Sequence, residues 1–299
     1  MKKLFKLAVN FTATLLMAVA TFSLAACEDI KKVELKLSLY NYSDSAFYAE
    51  DDVKFSVELY RHLAPKTADK VLEHVKAGYY NGAIFYQETG YTSQIMMGDL
   101  KFENGELKQN LIDGKLPSEI YGEFDTNGTT GSNLVSEKGS IGIWRSYYAS
   151  DANYKTSSNA RNSGRATWYI PTSTVSGYNG YFCVFAQYDT EDAANSKAIS
   201  AITAIFSNSD YYTEYVIYYT GEYEETKPDE NYGLTFNAVL KENFNDSENG
   251  YNSEDKTYNG ETVFEAEGNQ LVSYNYRTVR IPKVEGGLLT AQVKTATVK

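Results

Sequence analysis

The chain is poor in the residues that build disulfides, metal sites and charge-relay sites. Its 299 residues include two cysteines, Cys27 and Cys183, and two histidines, His62 and His74. Neither histidine has companions at the spacing of a zinc site, and no Ser-His-Asp site is visible. If Cys27 carries a lipid, Cys183 has no partner for a disulfide. The apolar neighbours of Cys183 predict a small buried side chain. The sequence therefore implies no metal and no cofactor.

Basic residues are also scarce relative to acidic ones. The 28 lysines and arginines face 39 aspartates and glutamates, which gives a formal net charge of −11. A surface this acidic repels the phosphates of nucleic acids and the headgroups of anionic lipids. We therefore expect no nucleic-acid partner.

Long apolar runs are absent except at the N-terminus. Residues 7–26 contain no acidic residue and follow three lysines within the first six positions. A charged start followed by an apolar run with small residues at its end is typical of a secretory signal. A core helix or a permanent membrane span does not fit this pattern as well. No second apolar stretch of membrane length follows.

The end of this apolar run favours a lipid anchor. Residues 24–27 read Leu-Ala-Ala-Cys, which resembles a bacterial lipobox, where the cysteine becomes the lipidated first residue of the mature protein. We predict a lipoprotein signal peptide at 1–26, a polar tether at 27–32 and a membrane anchor through Cys27, which places the chain outside the cytoplasm. Loss of three lysines and no acid then takes the charge from −11 to −14. An ordinary signal peptide cut near Ala20 is the alternative.

Residues 53–99 carry the clearest secondary-structure pattern in the chain. Phe55, Val57 and Leu59 alternate with polar residues, which is the period of a half-buried strand. Pro65 then begins a predicted helix with an apolar face at spacings i, i+3, i+4 and i+7. Gly78 stands where a left-handed helix end is expected.

Four motifs in this stretch resemble the cyclophilin-type peptidyl-prolyl isomerases, and they occur in the family's order. They are Glu58-Leu59-Tyr60, Pro65-Lys66-Thr67-Ala68, Tyr80-Asn81-Gly82-Ala83-Ile84-Phe85 and Gly98-Asp99. Further on, 139–144, 164–170 and 178–187 resemble three more strands of the family. The resemblance covers roughly 33–206 and 273–281. It implies a mainly β fold, a cyclophilin-like closed antiparallel β-barrel with two capping helices and an insertion before the last strand.

The chain departs from the family after the second predicted helix, which spans 194–206. Family members reach their last strand soon afterwards, whereas here an acidic segment rich in Tyr and Asn intervenes. We predict strands near 214–219 and 234–240 within it and disorder around 243–259. The predicted domains are a cyclophilin-like domain at 33–206 plus 272–285, with its last strand at 273–281, an insertion at 207–271, and a C-terminal tail at 286–299.

The reaction of this family needs little chemical machinery. Rotation about an Xaa-Pro bond faces a barrier of ~18–20 kcal/mol, and twisting the amide leaves a lone pair on its nitrogen. A donor aimed at that lone pair stabilises the transition state. In cyclophilins this donor is an Arg two places after the strand Phe, which the resemblance places at Gln87. Loss of the charge alone should cost on the order of 1–2 kcal/mol, about tenfold in rate.

The resemblance also assigns the remaining site residues. Thr167 takes the place of a family Gln, and Arg165 is a possible substitute donor. Met96 takes the place of another family Gln, although a two-residue slip puts Gln94 there. The residues expected to bind substrate are Phe85, Tyr86, Tyr91, Met96, Trp144, Arg145, Tyr169, Tyr178 and Phe182. The alternative for Arg145 and Arg165 is that both are ordinary surface residues. The alternative for the aromatic rings is that they serve the packing of the barrel.

The sequence thus predicts a lipid-anchored, peptidyl-prolyl isomerase-like protein that assists the folding of proline-containing extracytoplasmic polypeptides. Its activity should be weak because the family Arg is replaced. The alternative is an inactive cyclophilin-fold module that binds peptides or acts as a chaperone. A solute-binding lipoprotein is disfavoured because two α/β lobes with repeated βα units are not visible.

The lipid-anchor prediction can be tested by Cys27→Ser. Because the acyl chains attach through the thiol, the variant should move from the membrane to the soluble fraction in cell fractionation. Cys183→Ser, which changes the other cysteine, should leave the distribution unchanged. A Cys27→Ser protein that stays in the membrane with no build-up of precursor would exclude this anchor.

Overall fold

The structure, a computed structural model, describes residues 30–49, 53–129, 134–145, 161–220, 235–244, 257–258, 261–262 and 277–299. The predicted signal peptide and Cys27 lie outside these ranges, as does most of the predicted disordered stretch at 243–259. The described residues contain two helices, α1 (Pro65–Lys76) and α2 (Ala193–Phe206). Neither is long and apolar enough to cross a lipid bilayer.

The same ranges contain seventeen strands. In chain order they are β1 (Ile30–Asn41), β2 (Ala46–Phe47), β3 (Lys54–Tyr60), β4 (Ala83–Glu88), β5 (Gln94–Glu103), β6 (Glu106–Gln109), β7 (Ser140–Arg145), β8 (Gly164–Pro171), β9 (Val184–Gln187), β10 (Tyr212–Thr220), β11 (Thr235–Leu240), β12 (Thr257–Tyr258), β13 (Glu261–Thr262), β14 (Arg277–Pro282), β15 (Val284–Glu285), β16 (Leu288–Leu289) and β17 (Ala291–Val298).

Eight of these strands close into an antiparallel barrel. Their hydrogen-bonded order is β4-β17-β1-β3-β9-β7-β8-β5, and β5 pairs back with β4. Closure removes the free sheet edges within the barrel. The predicted mainly β fold, a closed antiparallel barrel with two helices, is confirmed.

Alternation along β3 shows how the sequence builds the barrel. Phe55, Val57 and Leu59 are fully buried, while Ser56 and Glu58 between them are only partly buried. Each buried apolar side chain of this size contributes about 1.5–3 kcal/mol. The period-two pattern of the sequence therefore decides which face of the strand enters the main core, where barrel side chains pack against α1 and α2.

The start of α1 is stabilised from a distant part of the chain. Pro65 occupies the first helical turn, as predicted, but Ala64 before it offers no side-chain cap. The buried carboxylate of Glu123 instead accepts hydrogen bonds from the backbone N–H groups of Lys66, at 3.1 Å, and Thr67, at 2.7 Å. A carboxylate at this end satisfies free N–H donors and complements the helix dipole.

The insertion forms an additional sheet beside the barrel. The strands predicted near 214–219 and 234–240 are present as β10 and β11. They continue through β14, which joins the barrel by pairing Val279 with Glu88 and Arg280 with Gln87. We call β11, β10 and β14 the appended sheet. The predicted last barrel strand at 273–281 therefore corresponds to β14, which lies outside the barrel.

The predicted C-terminal tail at 286–299 is wrong. This segment contains β17, which lies between β1 and β4 and closes the barrel. Its pairing with β1 runs from Val33 opposite Val298 to Leu39 opposite Ala291. The buried residues of β17 are small or β-branched and alternate imperfectly with Lys and Thr, so the local pattern is weak. The predicted tether at 27–32 is also too long, because β1 already begins at Ile30.

A second hydrophobic cluster lies outside the barrel. Along β4, Ala83 and Phe85 point into the main core, whereas Ile84 and Tyr86 point outward. The outward side chains pack against residues of the appended sheet. We call this group the outer cluster; it contains Ile84, Tyr86, Met96, Leu100, Leu107, Ile217, Val279, Ile281 and Leu289. The appended sheet thus covers the outer face of β4 and β5.

The role of β17 predicts the effect of substitutions near the C-terminus. Val293 is fully buried, so Val293→Asp should lower the free energy of unfolding by several kcal/mol, because it buries an unpaired charge. Thr295→Asp, at an exposed position of the same strand, should change it by less than about 0.5 kcal/mol. Urea unfolding measures both. Equal, small effects would show that this segment is a tail after all.

Candidate functional site

Five aromatic side chains predicted from the sequence come together on the barrel surface. We call Tyr91, Trp144, Tyr169, Tyr178 and Phe182 the aromatic cluster. Trp144 lies at its centre. The ring of Trp144 stacks on Phe182 with centroids 5.3 Å apart and meets the edge of Tyr91 at 5.0 Å. Tyr178 lies 4.5 Å from Phe182 and 5.5 Å from Tyr169. Such pairs contribute about 0.5–1.5 kcal/mol each beyond burial.

Local structure explains why these rings meet. Trp144 and Tyr169 lie on the neighbouring strands β7 and β8, where Gly142 is paired directly with Tyr169. A Cβ atom at position 142 would come within 2.2 Å of the Tyr169 ring, so only glycine leaves room for it. Tyr91 comes from the turn between β4 and β5, and the short helical turn at Ser176–Tyr178 supplies Tyr178.

The aromatic cluster has a buried floor and a partly exposed rim. Tyr169 and Phe182 are buried, whereas Tyr91, Trp144 and Tyr178 remain half-buried. The hydroxyl group of Tyr169 forms a 2.8 Å hydrogen bond with Oγ of Ser136. Burial raises the pKa of Tyr169, so the phenol stays neutral and serves as an apolar floor. The rim offers a surface on which a proline ring can pack.

Gln87 does not face the aromatic cluster. It lies on the inward side of β4, at the end of the barrel. Its Nε2 donates to the carbonyl oxygens of Thr92, at 3.0 Å, and Gln94, at 3.3 Å. Its Oε1 accepts from Nη1 of Arg280 at 3.1 Å. These bonds hold the amide away from the rim, contrary to the position expected of the family donor.

Phe85 shares this inward side of the strand. It is fully buried in the main core and belongs with the packing of the barrel. The structure does not bring it to the aromatic cluster, so it has no surface to offer a substrate. The physical reason is the two-residue period of β4, which sends Phe85 inward together with Ala83.

Tyr86 and Met96 lie on the outer face but beneath the appended sheet. They are paired across β4 and β5, and Met96 is also paired with Tyr169 on β8. Both are fully buried in the outer cluster, against which Trp144 packs. They therefore form a wall between the aromatic cluster and the appended sheet and are not part of the exposed rim.

A group of charged residues fixes the position of Tyr86. Its hydroxyl donates to Oδ1 of Asp99 at 2.8 Å, and burial, together with the Asp99 charge, raises the pKa of Tyr86. Arg277 from β14 bonds Glu88 at 2.6 Å and Asp99 at 2.9 Å, and its Nη1 lies 3.4 Å from the Tyr86 hydroxyl. The two carboxylates of the barrel thus hold the appended sheet at this edge.

Gln94 is an amide donor on the outer face of β5. Its Nε2 lies 3.9 Å from the sulfur of Met96, which places it on the same side as Met96. It is 1% exposed. Its Oε1 is buried and makes no hydrogen bond to any residue that the structure describes. Sequence reasoning named Gln94 only as the alternative to Met96, and the structure places both side chains together.

The two predicted residues on β8 are placed differently. Thr167 lies two residues before Tyr169 on the same face and is half-buried. Arg165 is anchored to the preceding loop, since Nη1 donates to the carbonyl oxygen of Pro117 at 2.5 Å and Nη2 to Glu119 at 3.2 Å. Its use as a substitute donor would require release of these bonds and stays a prediction.

Arg145 lies behind the aromatic cluster. It is 2% exposed and shares the inward side of β7 with Ile143. Its guanidinium faces the rings of Phe182, at 4.8 Å, and Phe124, at 5.3 Å. The sequence suggested that Arg145 contacts substrate at the rim. The structure instead places it beneath Phe182, which it supports.

The thiol of Cys183 lies beside Arg145 and is buried, as predicted. Burial raises the pKa of this thiol to about 12, which makes it a poor nucleophile.

Sequence reasoning missed Ser136 and the two arginines of β14. Ser136 lies in a polar loop whose pattern gave no signal for its contact with Tyr169. Arg277 and Arg280 are three residues apart, so in a strand they point to opposite faces. One meets the outer face of the barrel and the other meets Gln87. Only the pairing of β14 with β4 reveals either contact.

Part of the chain matches a known protein family. Residues 47–204 match the family described as cyclophilin type peptidyl-prolyl cis-trans isomerase/CLD. Two crystal structures of a Cryptosporidium parvum cyclophilin type peptidyl-prolyl cis-trans isomerase, one in the presence of the dipeptide Ala-Pro, align with TM-scores of 0.34 and 0.35 and 14% identity. Each alignment covers 56% of this chain and 83% of the other. No curated protein matches.

The matched segment makes up more than half of the chain. It begins at β2 and runs through β3–β9 and most of α2, and it holds every member of the aromatic cluster. The appended sheet lies outside it. This chain therefore belongs to the cyclophilin-type peptidyl-prolyl cis-trans isomerase family.

Proposed function

We propose that this protein is a weak peptidyl-prolyl isomerase that acts on proline-containing segments of extracytoplasmic polypeptides. The observation that carries the proposal is the aromatic cluster, which combines a buried floor with a half-exposed rim on the barrel surface. The weakness follows from Gln87, whose amide is bonded elsewhere and carries no charge.

The mechanism relies on holding the proline ring. Rotation about the Xaa-Pro bond needs no bond to break, so the site must only favour the twisted amide over the planar forms. A ring packed against Trp144 and Tyr178 would be held while the residue before proline rotates. The surrounding apolar surface stabilises the planar, more polar amide less than water does, which lowers the barrier further.

A neutral amide donor lies buried beside this surface. Gln94 lies on the outer face next to Met96. Among the residues that the structure describes, the one hydrogen-bond partner of its Nε2 is the Met96 sulfur, 3.9 Å away. A neutral hydrogen bond contributes about 0.5–1.5 kcal/mol and a charged one about 1.5–3 kcal/mol. The difference corresponds to roughly a tenfold lower rate than a site with a charged donor.

The predicted lipid anchor supports the proposed location. β1 begins at Ile30, three residues after Cys27. An extended chain spans at most about 3.3–3.6 Å per residue. A lipid on Cys27 would therefore hold the barrel within about 10 Å of the membrane surface, where newly translocated polypeptides emerge.

A peptide-binding module without catalysis is the second candidate. It is favoured by the burial of Tyr86 and Met96 under the appended sheet, which narrows the outer face to the rim of the aromatic cluster. Such a rim could hold a proline-containing segment without acting on its peptide bond. Binding and catalysis must therefore be measured separately.

Substitutions at the rim of the aromatic cluster test the proposed function. Tyr178→Ala should lower both peptide affinity and kcat/KM for an Xaa-Pro tetrapeptide by about tenfold, because it removes ring contacts. Gln94→Leu should lower kcat/KM by a few-fold while leaving affinity within about twofold. Tyr121→Ala, at a tyrosine that is 41% exposed and outside the cluster, is the control. Tryptophan fluorescence, to which Trp144 in the cluster and the buried Trp168 both contribute, reports binding. A coupled isomerisation assay reports turnover.

The outcomes separate the two candidates. Turnover that falls with Tyr178→Ala supports the isomerase. Binding that falls with Tyr178→Ala, without turnover in any variant, supports the binding module. Absence of both binding and turnover in the wild type contradicts both candidates.

The variant Gln87→Arg tests whether position 87 takes part in catalysis. Restoring the family residue should not raise turnover, because position 87 faces the guanidinium of Arg280. Like charges at this distance should instead lower the free energy of unfolding by about 1–3 kcal/mol. Thr295→Arg, at an exposed position of β17, should have little effect on stability. A tenfold rise in turnover would mean that position 87 reaches the peptide.

A further inference from the structure

A cavity of about 220 Å³ lies at the end of the barrel and shares no lining residue with the aromatic cluster. Its walls come from β4, β5 and the turn between them, the segment after β8, the C-terminal turn of α2, and β14 of the appended sheet. The lining residues are Gln87, Thr92, Ile95, Thr172, Thr203, Phe206, Ser207 and Arg280. This volume equals that of about seven water molecules at ~30 Å³ each. It is therefore large enough for a single amino acid.

Arg280 is held in a fixed position on one wall. Its Nε donates to Glu214 at 3.2 Å and its Nη1 to Gln87 at 3.1 Å, and the guanidinium lies 4.9 Å from the centre of the Tyr212 ring. Within the described part of the chain, no hydrogen bond uses Nη2 of Arg280. A positioned guanidinium with a remaining donor group binds a carboxylate at little entropic cost.

The local charge around Arg280 is positive. Glu214 accepts from Lys241 at 2.5 Å as well as from Arg280. Although burial acts to raise the pKa of Glu214, its hydrogen bonds with Lys241 and Arg280 hold that pKa below its ordinary value, so the group is ionised near neutral pH. Two positive charges and one negative charge leave a net charge of +1. This local excess is opposite in sign to the chain's net charge of −11.

The remaining walls offer hydroxyl groups and an apolar surface. The hydroxyls of Thr92, Thr172 and Thr203 make no hydrogen bond with any described residue, so each can donate to or accept from a ligand. Ile95 and Phe206 belong to the main core and present apolar surface to the cavity. The cavity therefore combines one cationic group, several neutral polar groups and an apolar wall.

We propose that this cavity binds the carboxylate of an amino-acid-sized ligand with an apolar side chain. Arg280 receives the carboxylate, the threonine hydroxyls bond the adjoining polar atoms, and Ile95 and Phe206 contact the apolar part. The ligand is either a free acid or the C-terminal residue of a polypeptide, since both present the same chemistry. The proposal does not depend on peptide binding at the aromatic cluster.

Isothermal titration calorimetry at fixed ionic strength tests the proposal, with N-acetyl-leucine and the neutral N-acetyl-leucine amide as probes. The acid should bind one to one and at least tenfold more tightly than the amide, because only the acid pairs with Arg280. A pentapeptide ending in leucine, with a free or an amidated C-terminus, distinguishes the two sources. Tighter binding of the free-ended peptide than of N-acetyl-leucine would assign the site to polypeptide C-termini, and the reverse order to a small acid.

Three variants locate the binding site. Arg280→Gln and Thr203→Val should each weaken N-acetyl-leucine by at least fivefold, and they act through different walls, β14 and α2. Arg61→Gln, which removes an ion-paired arginine next to α1, should leave the affinity unchanged. Circular dichroism checks the fold of each variant. Equal binding of acid and amide, unchanged affinity in Thr203→Val, or no binding by either acid at millimolar concentration would each overturn the proposal.

Discussion

Pairing between the two ends of the described chain holds the barrel together. β17 lies between β1 and β4, so residues more than 200 positions apart in sequence, such as Leu39 and Ala291, are direct neighbours. Without β17, β1 would present an open edge, β4 would lose its pairing at Ile84, and the main core would lose one of its walls. The aromatic cluster depends on this closure indirectly, because β5, β7 and β8 keep their curvature only as parts of a closed sheet.

The insertion matters because of where it is attached. β14 pairs with only two residues of β4, yet this brings a three-stranded sheet against the outer face of the barrel. One side of β14 delivers Arg277 to Glu88 and Asp99, while the other delivers Arg280 to Gln87. A single strand therefore buries part of the outer face and supplies the charged wall of a cavity elsewhere.

The candidate site combines a set of aromatic rings with a neutral residue, Gln87, at the position of the family arginine. Trp144, Tyr169 and their neighbours form one continuous aromatic surface, and Gly142 leaves the room that Tyr169 needs. The guanidinium groups of Arg277 and Arg280 beside β4 come from the appended sheet, and each already pairs with at least one carboxylate of this chain. This combination suits holding a proline ring better than strong polarisation of its amide, which is why weak turnover and simple binding are the two candidate functions.

Much of the architecture was already determined by local sequence pattern. Alternation predicted β3, the helical period and Pro65 predicted α1, and ordered motifs identified the family and all five rings of the aromatic cluster. These features depend on residues close together in sequence or on strands at the family's own spacing. Side-chain direction within β4 was harder, because an alignment names a residue type without stating which face it occupies.

Only the tertiary structure decided the rest. Whether 291–298 is a strand or a tail depends on a partner in β1, and a weak local pattern of Ala, Thr and Val does not name that partner. Whether Gln87 faces the rim or the barrel end depends on Thr92, Gln94 and Arg280. The sequence by itself determined the elements and the aromatic residues, because periodicity is local. The fold decided the closure of the barrel, the burial of Tyr86 and Met96 beneath the appended sheet, and the direction of the polar groups, because long-range hydrogen bonding is not encoded at any single position.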